Sequence, residues 1–135
     1  MGWIALSGVM AERPNVLFIA IDDLNPSIGV YGASEVATPH MDRLGASGKT
    51  FLNAACQFPV CGPSRASLLT GMRAEATGVL DLKTKMRDVH PDILTLPQYF
   101  RQNGYTTAAV GKIFDARCVD SRKQGDAVSW AIPYN

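Results

Sequence analysis

The sequence predicts an α/β protein with a mostly parallel sheet flanked by helices, and three features carry that expectation. Branched apolar segments alternate with short helical ones in the order strand, helix, strand, helix, helix, strand. The first segment, "NVLFIAID" (Asn15 to Asp22), is apolar without alternation, the pattern of a strand covered on both faces. The helical segments carry proline near their starts and glycine at their ends.

Taken in order, the Asn15 to Asp22 strand ends in two carboxylates, and "DLNPSIGVYG" leaves it through a loop punctuated by Pro26, Gly29 and Gly32. A helix follows with Thr38 as cap, Pro39 at its first position, and Gly45 and Gly48 as stop signals. "KTFLNAAC" reads as a second strand. "GPSRASLLTGM" is a helix of about two turns that starts at Pro63, has apolar spacing through Leu68 and Leu69 and closes at Gly71. Residues 72–92 are charged and irregular, so Lys83, Lys85, Arg87 and Asp88 are expected on a solvated face. "TLPQYFRQNG" is a helix with Thr95 as cap, Pro97 early, Tyr99 and Phe100 facing inward and Gly104 as its stop. "YTTAAVGK" is a third strand, and the residues after Lys112 lack periodicity and close no domain, so the fold is expected to be incomplete at its C-terminal side.

The 135 residues suit one modest domain, and a composition of 47% hydrophobic and 19% charged residues is that of a globular protein. A net charge of +1 supplies no global field for nucleic acid or an anionic membrane, so neither is an expected partner. Three cysteines, Cys56, Cys61 and Cys118, form no C-x-x-C pair or His-spaced cluster. The apolar residues 1–11 read as a clipped signal peptide and imply export, although they lack a basic start and are too short to span a bilayer.

In a parallel sheet ligands bind beyond the carboxyl ends of the strands, and Asp22, Asp23, Lys112 and the helix that opens after Cys61 all fall there. Asp22 and Asp23 offer hard oxygens suited to calcium or magnesium, or are simply turn aspartates. Both could reach one ion only where the strand has begun to turn. Cys61 stands where free N–H groups and the helix dipole favour a thiolate, and Arg65 adds donors that match a tetrahedral oxyanion. The alternative is a buried small hydrophobe beside a surface charge. "LGASGKT" has too few residues before its Gly-Lys pair for a phosphate loop, and His40 and His90 read as loop or cap residues. A Cys56–Cys61 disulfide would consume the thiol that the helix start presents.

"CGPSRASLLTG", running from Cys61 through Pro63, Ser64, Arg65 and Leu69 to Gly71, resembles the signature of the formylglycine-dependent (type I) sulfatases. "RPNVLFIAIDDL", "ATPHMDRLGASGKTFLNAAC" and "QYFRQNGYTTAAVGK" are similar to three further blocks of that family in the same order. "DDLNPSIGVYG" with "GKIF" is most similar to the iduronate-2-sulfatase-related branch, which acts on sulfated, glycosaminoglycan-like sugars. The resemblance implies an alkaline-phosphatase-like fold, with residues 12–135 forming the N-terminal portion of the catalytic domain and the chain as a whole resembling the first quarter to third of a sulfatase.

It further implies that a maturation enzyme converts Cys61 to formylglycine, whose hydrate attacks sulfur with one hydroxyl and releases sulfate through the other. Asp22, Asp23 and residue 61 would then hold calcium, Arg65 would steady the hydrate, and Lys112 would bind the sulfate oxygens. Where the family places a histidine two or three residues after the lysine, this chain has Asp115, and a carboxylate there repels sulfate unless it is protonated or turned toward a cation. The function implied is hydrolysis of carbohydrate sulfate esters. The alternatives are a phosphate or phosphonate ester hydrolase and a non-catalytic sugar-binding module on the same scaffold.

Overall fold

The computed structural model describes residues 13–120 and 125–133; the expected leader over residues 1–11 lies outside them. Five helices occur among these residues: α1 (Pro39–Ser47), α2 (Cys61–Thr70), α3 (Ala74–Thr77), α4 (Met86–Val89) and α5 (Leu96–Gln102). Two 3₁₀ turns, Gly29–Tyr31 and Ala127–Ser129, complete the set.

The three predicted strands are not formed among the described residues. A strand is defined by a hydrogen-bonded neighbour, and no backbone ladder joins residues 15–22, 49–56 and 105–112 to one another. Their apolar side chains stay open to solvent, Leu17 at 85%, Phe51 at 72% and Val110 at 77% exposure. Residues 15–18 and 105–110 instead line, with Leu69 and Phe100, a groove of about 460 Å³. The expected mostly parallel sheet is therefore absent from the described residues.

The helices follow local chemistry more closely. Thr95 caps α5 in a reciprocal capping box with Gln98, and Gly104 takes φ +83° just beyond the helix end. Helix α2 starts at Cys61 rather than Pro63, which places the thiol inside its first turn, and Gly71 closes it at φ +70°. Thr38 precedes α1, but its hydroxyl bridges to the Gly29 N–H and the Asp42 carboxylate instead of capping the helix. Gly45 is no stop: it lies within α1, where a Cβ would stand 2.3 Å from a methyl of Val30.

The core comprises Ala66 and Leu69 of α2 together with Val79, Met86, Ile93, Phe114, Cys118, Val119 and Trp130. Leu69 is buried, whereas Leu68 turns outward at 54% exposure, because adjacent helical residues point about 100° apart. Tyr99 is likewise exposed, and Phe100, half-buried, packs edge-on against Tyr105 with ring centroids 4.9 Å apart. Phe114, Cys118, Val119 and Trp130, from the stretch after Lys112 that lacks periodicity, supply about half of the core.

One charged residue assigned to a solvated face, Arg87, is half-buried instead. All five N–H donors of Arg87 are used: Nε and Nη2 bind Asp126 at 2.5 and 2.9 Å, Nη2 also reaches Gln98, and Nη1 reaches the carbonyls of Pro91 and Ile93. Asp126 is 1% exposed and also accepts from the Ser129 hydroxyl.

Burial pushes the Cys118 thiol up from its ordinary value of 9.0 to about 11, helped by the charge of Asp115. Between those values the unfolded chain has lost that proton while the folded chain keeps it, so Cys118 contributes stability below pH 9 that is lost as pH rises toward 11. Urea titrations should show Cys118→Ala losing less stability than wild type across pH 9 to 11; parallel losses would refute the assignment.

Candidate active site

Helix α2 presents Cys61 and Arg65 one turn apart on the same face. Its start is packed tightly, since a Cβ at Gly62 would lie 2.6 Å from the Cys118 Sγ and 2.9 Å from Leu82. Glycine is the residue that lets the thiol-bearing turn approach this wall.

Arg65 is 7% exposed and joins two other parts of the chain to α2. Its Nη1 donates to the carbonyls of Lys112 and Ile113 at 2.6 and 2.9 Å, and its Nη2 donates to Asp22 Oδ1 at 2.9 Å. Lys112 follows Gly111, whose φ of +71° turns the chain, and its Nζ donates to Asp22 Oδ2 at 2.6 Å. Hydrogen bonds from Lys112 and then Arg65 hold the Asp22 carboxyl below its ordinary value, and Asp22 in turn raises Lys112. Asp22 and Asp23 lie in a turn, with Asp23 in the left-handed region at φ +54°.

Asp115 is 3% exposed and sits beside the thiol. Cys61 Sγ donates to Asp115 Oδ2 at 3.1 Å, and Lys112 Nζ stands 3.5 Å from the same oxygen. Arg117 supplies the main counter-charge: its backbone N–H and Nε bind Oδ1 at 3.1 and 2.8 Å, and Nη2 binds Oδ2 at 2.9 Å. That guanidinium, opposed by burial, holds Asp115 well below the usual carboxylate range. The same Nη2 also reaches Cys61 Sγ at 3.5 Å.

Asp22, Cys61, Arg65, Lys112 and Asp115 are thus brought together from three separated stretches of chain. The ion pairs at Asp22 and Asp115 link all of them except Cys61, which joins through its thiol. Arg117 was missed by sequence reasoning. The available signal was Asp-x-Arg, in which an aspartate accepts from the N–H two residues on in an Asx turn.

The oxygen donors of Asp22 and Asp23 have the right chemistry for calcium. Calcium takes about six to eight oxygens, however, and no group of three or more His, Cys, Asp and Glu gathers among the described residues. Two aspartates are a partial set.

Three cations, Arg65, Lys112 and Arg117, stand with the Cys61 thiol around one helix start, and guanidinium and ammonium donors match the geometry of a tetrahedral oxyanion. The comparisons narrow that class: the sulfatase family model matches residues 14–118, and the chain belongs to the sulfatase family. It is 44% identical over 110 residues to a sulfatase of Formosa agariphila, covering 76% of this chain and 22% of that protein. It is 41% identical over 119 residues to human iduronate 2-sulfatase, covering 88% of this chain and 22% of the relative. It is also 36% identical over 110 residues to an N-acetylgalactosamine-6-O-sulfatase of Bacteroides thetaiotaomicron, covering 78% and 21%. The chain thus spans about a fifth of the length of these curated relatives. Membership implies the alkaline-phosphatase-like α/β class, while the described residues contain helices and no strand.

Proposed function

We propose that this chain carries the nucleophile-bearing part of a sulfuric ester hydrolase that acts on sulfated, glycosaminoglycan-like carbohydrates. The observation that carries the reading is the convergence on α2 of Cys61 with Arg65 and Lys112, the two cations that share Asp22. The names of the relatives, which specify sugar sulfates, support the substrate class. Export, as the apolar start suggests, suits such substrates; no helix among the described residues is long and apolar enough to cross a membrane.

Cys61 fits conversion to formylglycine because it is only partly buried and its sulfur lies among polar side chains. Formylglycine supplies, as its hydrate, the oxygen that attacks the sulfate ester. Arg65 holds the Lys112 backbone in place, so the lysine ammonium stands ready to bind sulfate oxygens as negative charge builds on them. Asp22 and Asp23 would hold calcium, which when bound supplies Lewis-acid polarisation of the ester.

The reading is tested by the mass of the peptide spanning Cys61 after coexpression with a formylglycine-generating enzyme. Replacement of the thiol by an aldehyde is expected. A persistent thiol, with the enzyme active on a control peptide, would overturn the reading in favour of a non-catalytic module. The 135-residue chain alone should show no turnover of aryl or sugar sulfates, since Asp22 and Asp23 supply two of the several ligands that calcium needs. Turnover matching a complete sulfatase would contradict that expectation.

A further inference from the structure

We propose that Asp115 and Arg117 form a positioning pair for residue 61, in which the carboxylate orients and stabilises the hydrated side chain and the guanidinium keeps that carboxylate compatible with a bound sulfate. The inference rests on the reading above, in which residue 61 becomes formylglycine.

A bare carboxylate next to a sulfate ester is repulsive, and the sequence leaves that conflict open. The geometry resolves it. Asp115 is turned toward cations on both oxygens: Arg117 grips Oδ1 and Oδ2 together, and Lys112 stands 3.5 Å from Oδ2. The pair is held at short range, since the Arg117 N–H closes an Asx turn onto the same carboxylate and the Cys118 N–H bonds to the Asp115 carbonyl at 2.9 Å. Asp115, 3% exposed, has little freedom to swing away.

Oδ2 is the oxygen that already accepts from the group on residue 61, at 3.1 Å. A thiol is a weak donor, whereas a hydroxyl donating to a carboxylate makes a strong, charge-assisted bond. Hydration adds water across the aldehyde: the water oxygen bonds to the carbonyl carbon, a proton goes to the carbonyl oxygen, and two hydroxyls result. An acceptor fixed beside that carbon favours the diol over the aldehyde, which has no proton to donate. Arg117 Nη2, 3.5 Å from the Sγ position, faces the same side chain as a donor and completes the cradle. Asp115 acts here by orienting one hydroxyl and Arg117 acts through Asp115, so neither need exchange a proton with the substrate.

The test uses the 135-residue chain coexpressed with the formylglycine-generating enzyme, its residue 61 carrying ¹³C from labelled cysteine. Carbon NMR reads the diol-to-aldehyde ratio directly, with no substrate and no metal. A converted peptide of residues 57–69 supplies the unstructured reference. The folded chain should hold the diol about tenfold more strongly than the peptide, the scale of one hydrogen bond to a charged acceptor. Asp115→Ala should return the ratio to the peptide value, Arg117→Ala should lower it, and Arg117→Lys should restore part of it.

A ratio in the folded wild-type chain equal to that of the peptide would overturn the proposal, and this comparison needs no variant to fold. A ratio unchanged in folded Asp115→Ala would overturn it as well. Failure of the underlying function is read separately, because the mass spectrum would then show an unconverted thiol before any ratio is measured.

Discussion

Cys61→Ala is expected to abolish sulfate ester hydrolysis in a complete enzyme containing this chain, by a factor on the order of 10⁴ to 10⁶, the usual cost of removing a covalent nucleophile. The fold should survive the change. Cys61 occupies the first turn of α2, alanine is a better helix former than cysteine, and the lost contacts are a weak S–H bond to Asp115 and a long contact with Arg117. Thermal unfolding should therefore move by no more than a few degrees while turnover disappears. Cys56→Ala provides the control, since Cys56 is exposed and stands apart from this cluster. Full activity in Cys61→Ala would remove residue 61 from the chemistry and the sulfatase reading with it.

The largest structural effect is expected at Arg87. Arg87→Ala would leave Asp126, 1% exposed, as a buried carboxylate without its bidentate partner, and would strip donors from the carbonyls of Pro91 and Ile93 and from Gln98. Breaking a buried ion pair from one side costs about 3–5 kcal/mol, a large share of the roughly 5–15 kcal/mol that holds an ordinary domain together. Urea unfolding should show a loss of stability of that size, as a lower midpoint at an unchanged slope. The double change Arg87→Met with Asp126→Leu should be milder than either single change, because it removes both charges and leaves neither stranded. A loss below about 1 kcal/mol in Arg87→Ala would show that water reaches Asp126 and that the network contributes little.

Arg87 also shows why part of this molecule could not be read from sequence. In residues 72–92 it stands among other charges, and nothing local separates it from Lys83 or Lys85. Its partner Asp126 is 39 residues away, in a segment without periodicity. The same holds for Arg117, whose contact with Cys61 spans 56 residues, and for Trp130, which closes the core against Phe114 with ring centroids 6.0 Å apart. Sequence patterns report the period of an element along itself; contacts between elements of irregular shape leave no period.

By itself the sequence determined what depends on neighbours a few residues apart. The Thr95 cap and the left-handed glycine that ends α2 follow from bonds closed within four residues. The motif around Cys61 likewise marked the family, because its residues are contiguous. Tertiary structure decided the rest. It set whether the apolar segments at 15–22 and 105–112 pair as strands, since a ladder belongs to two segments and never to one. It also decided what Asp115 faces: its cation Arg117 is supplied two residues away, but the contact of its carboxylate with Cys61 spans 54 residues and exists only once the turn at 115–118 is packed on the start of α2.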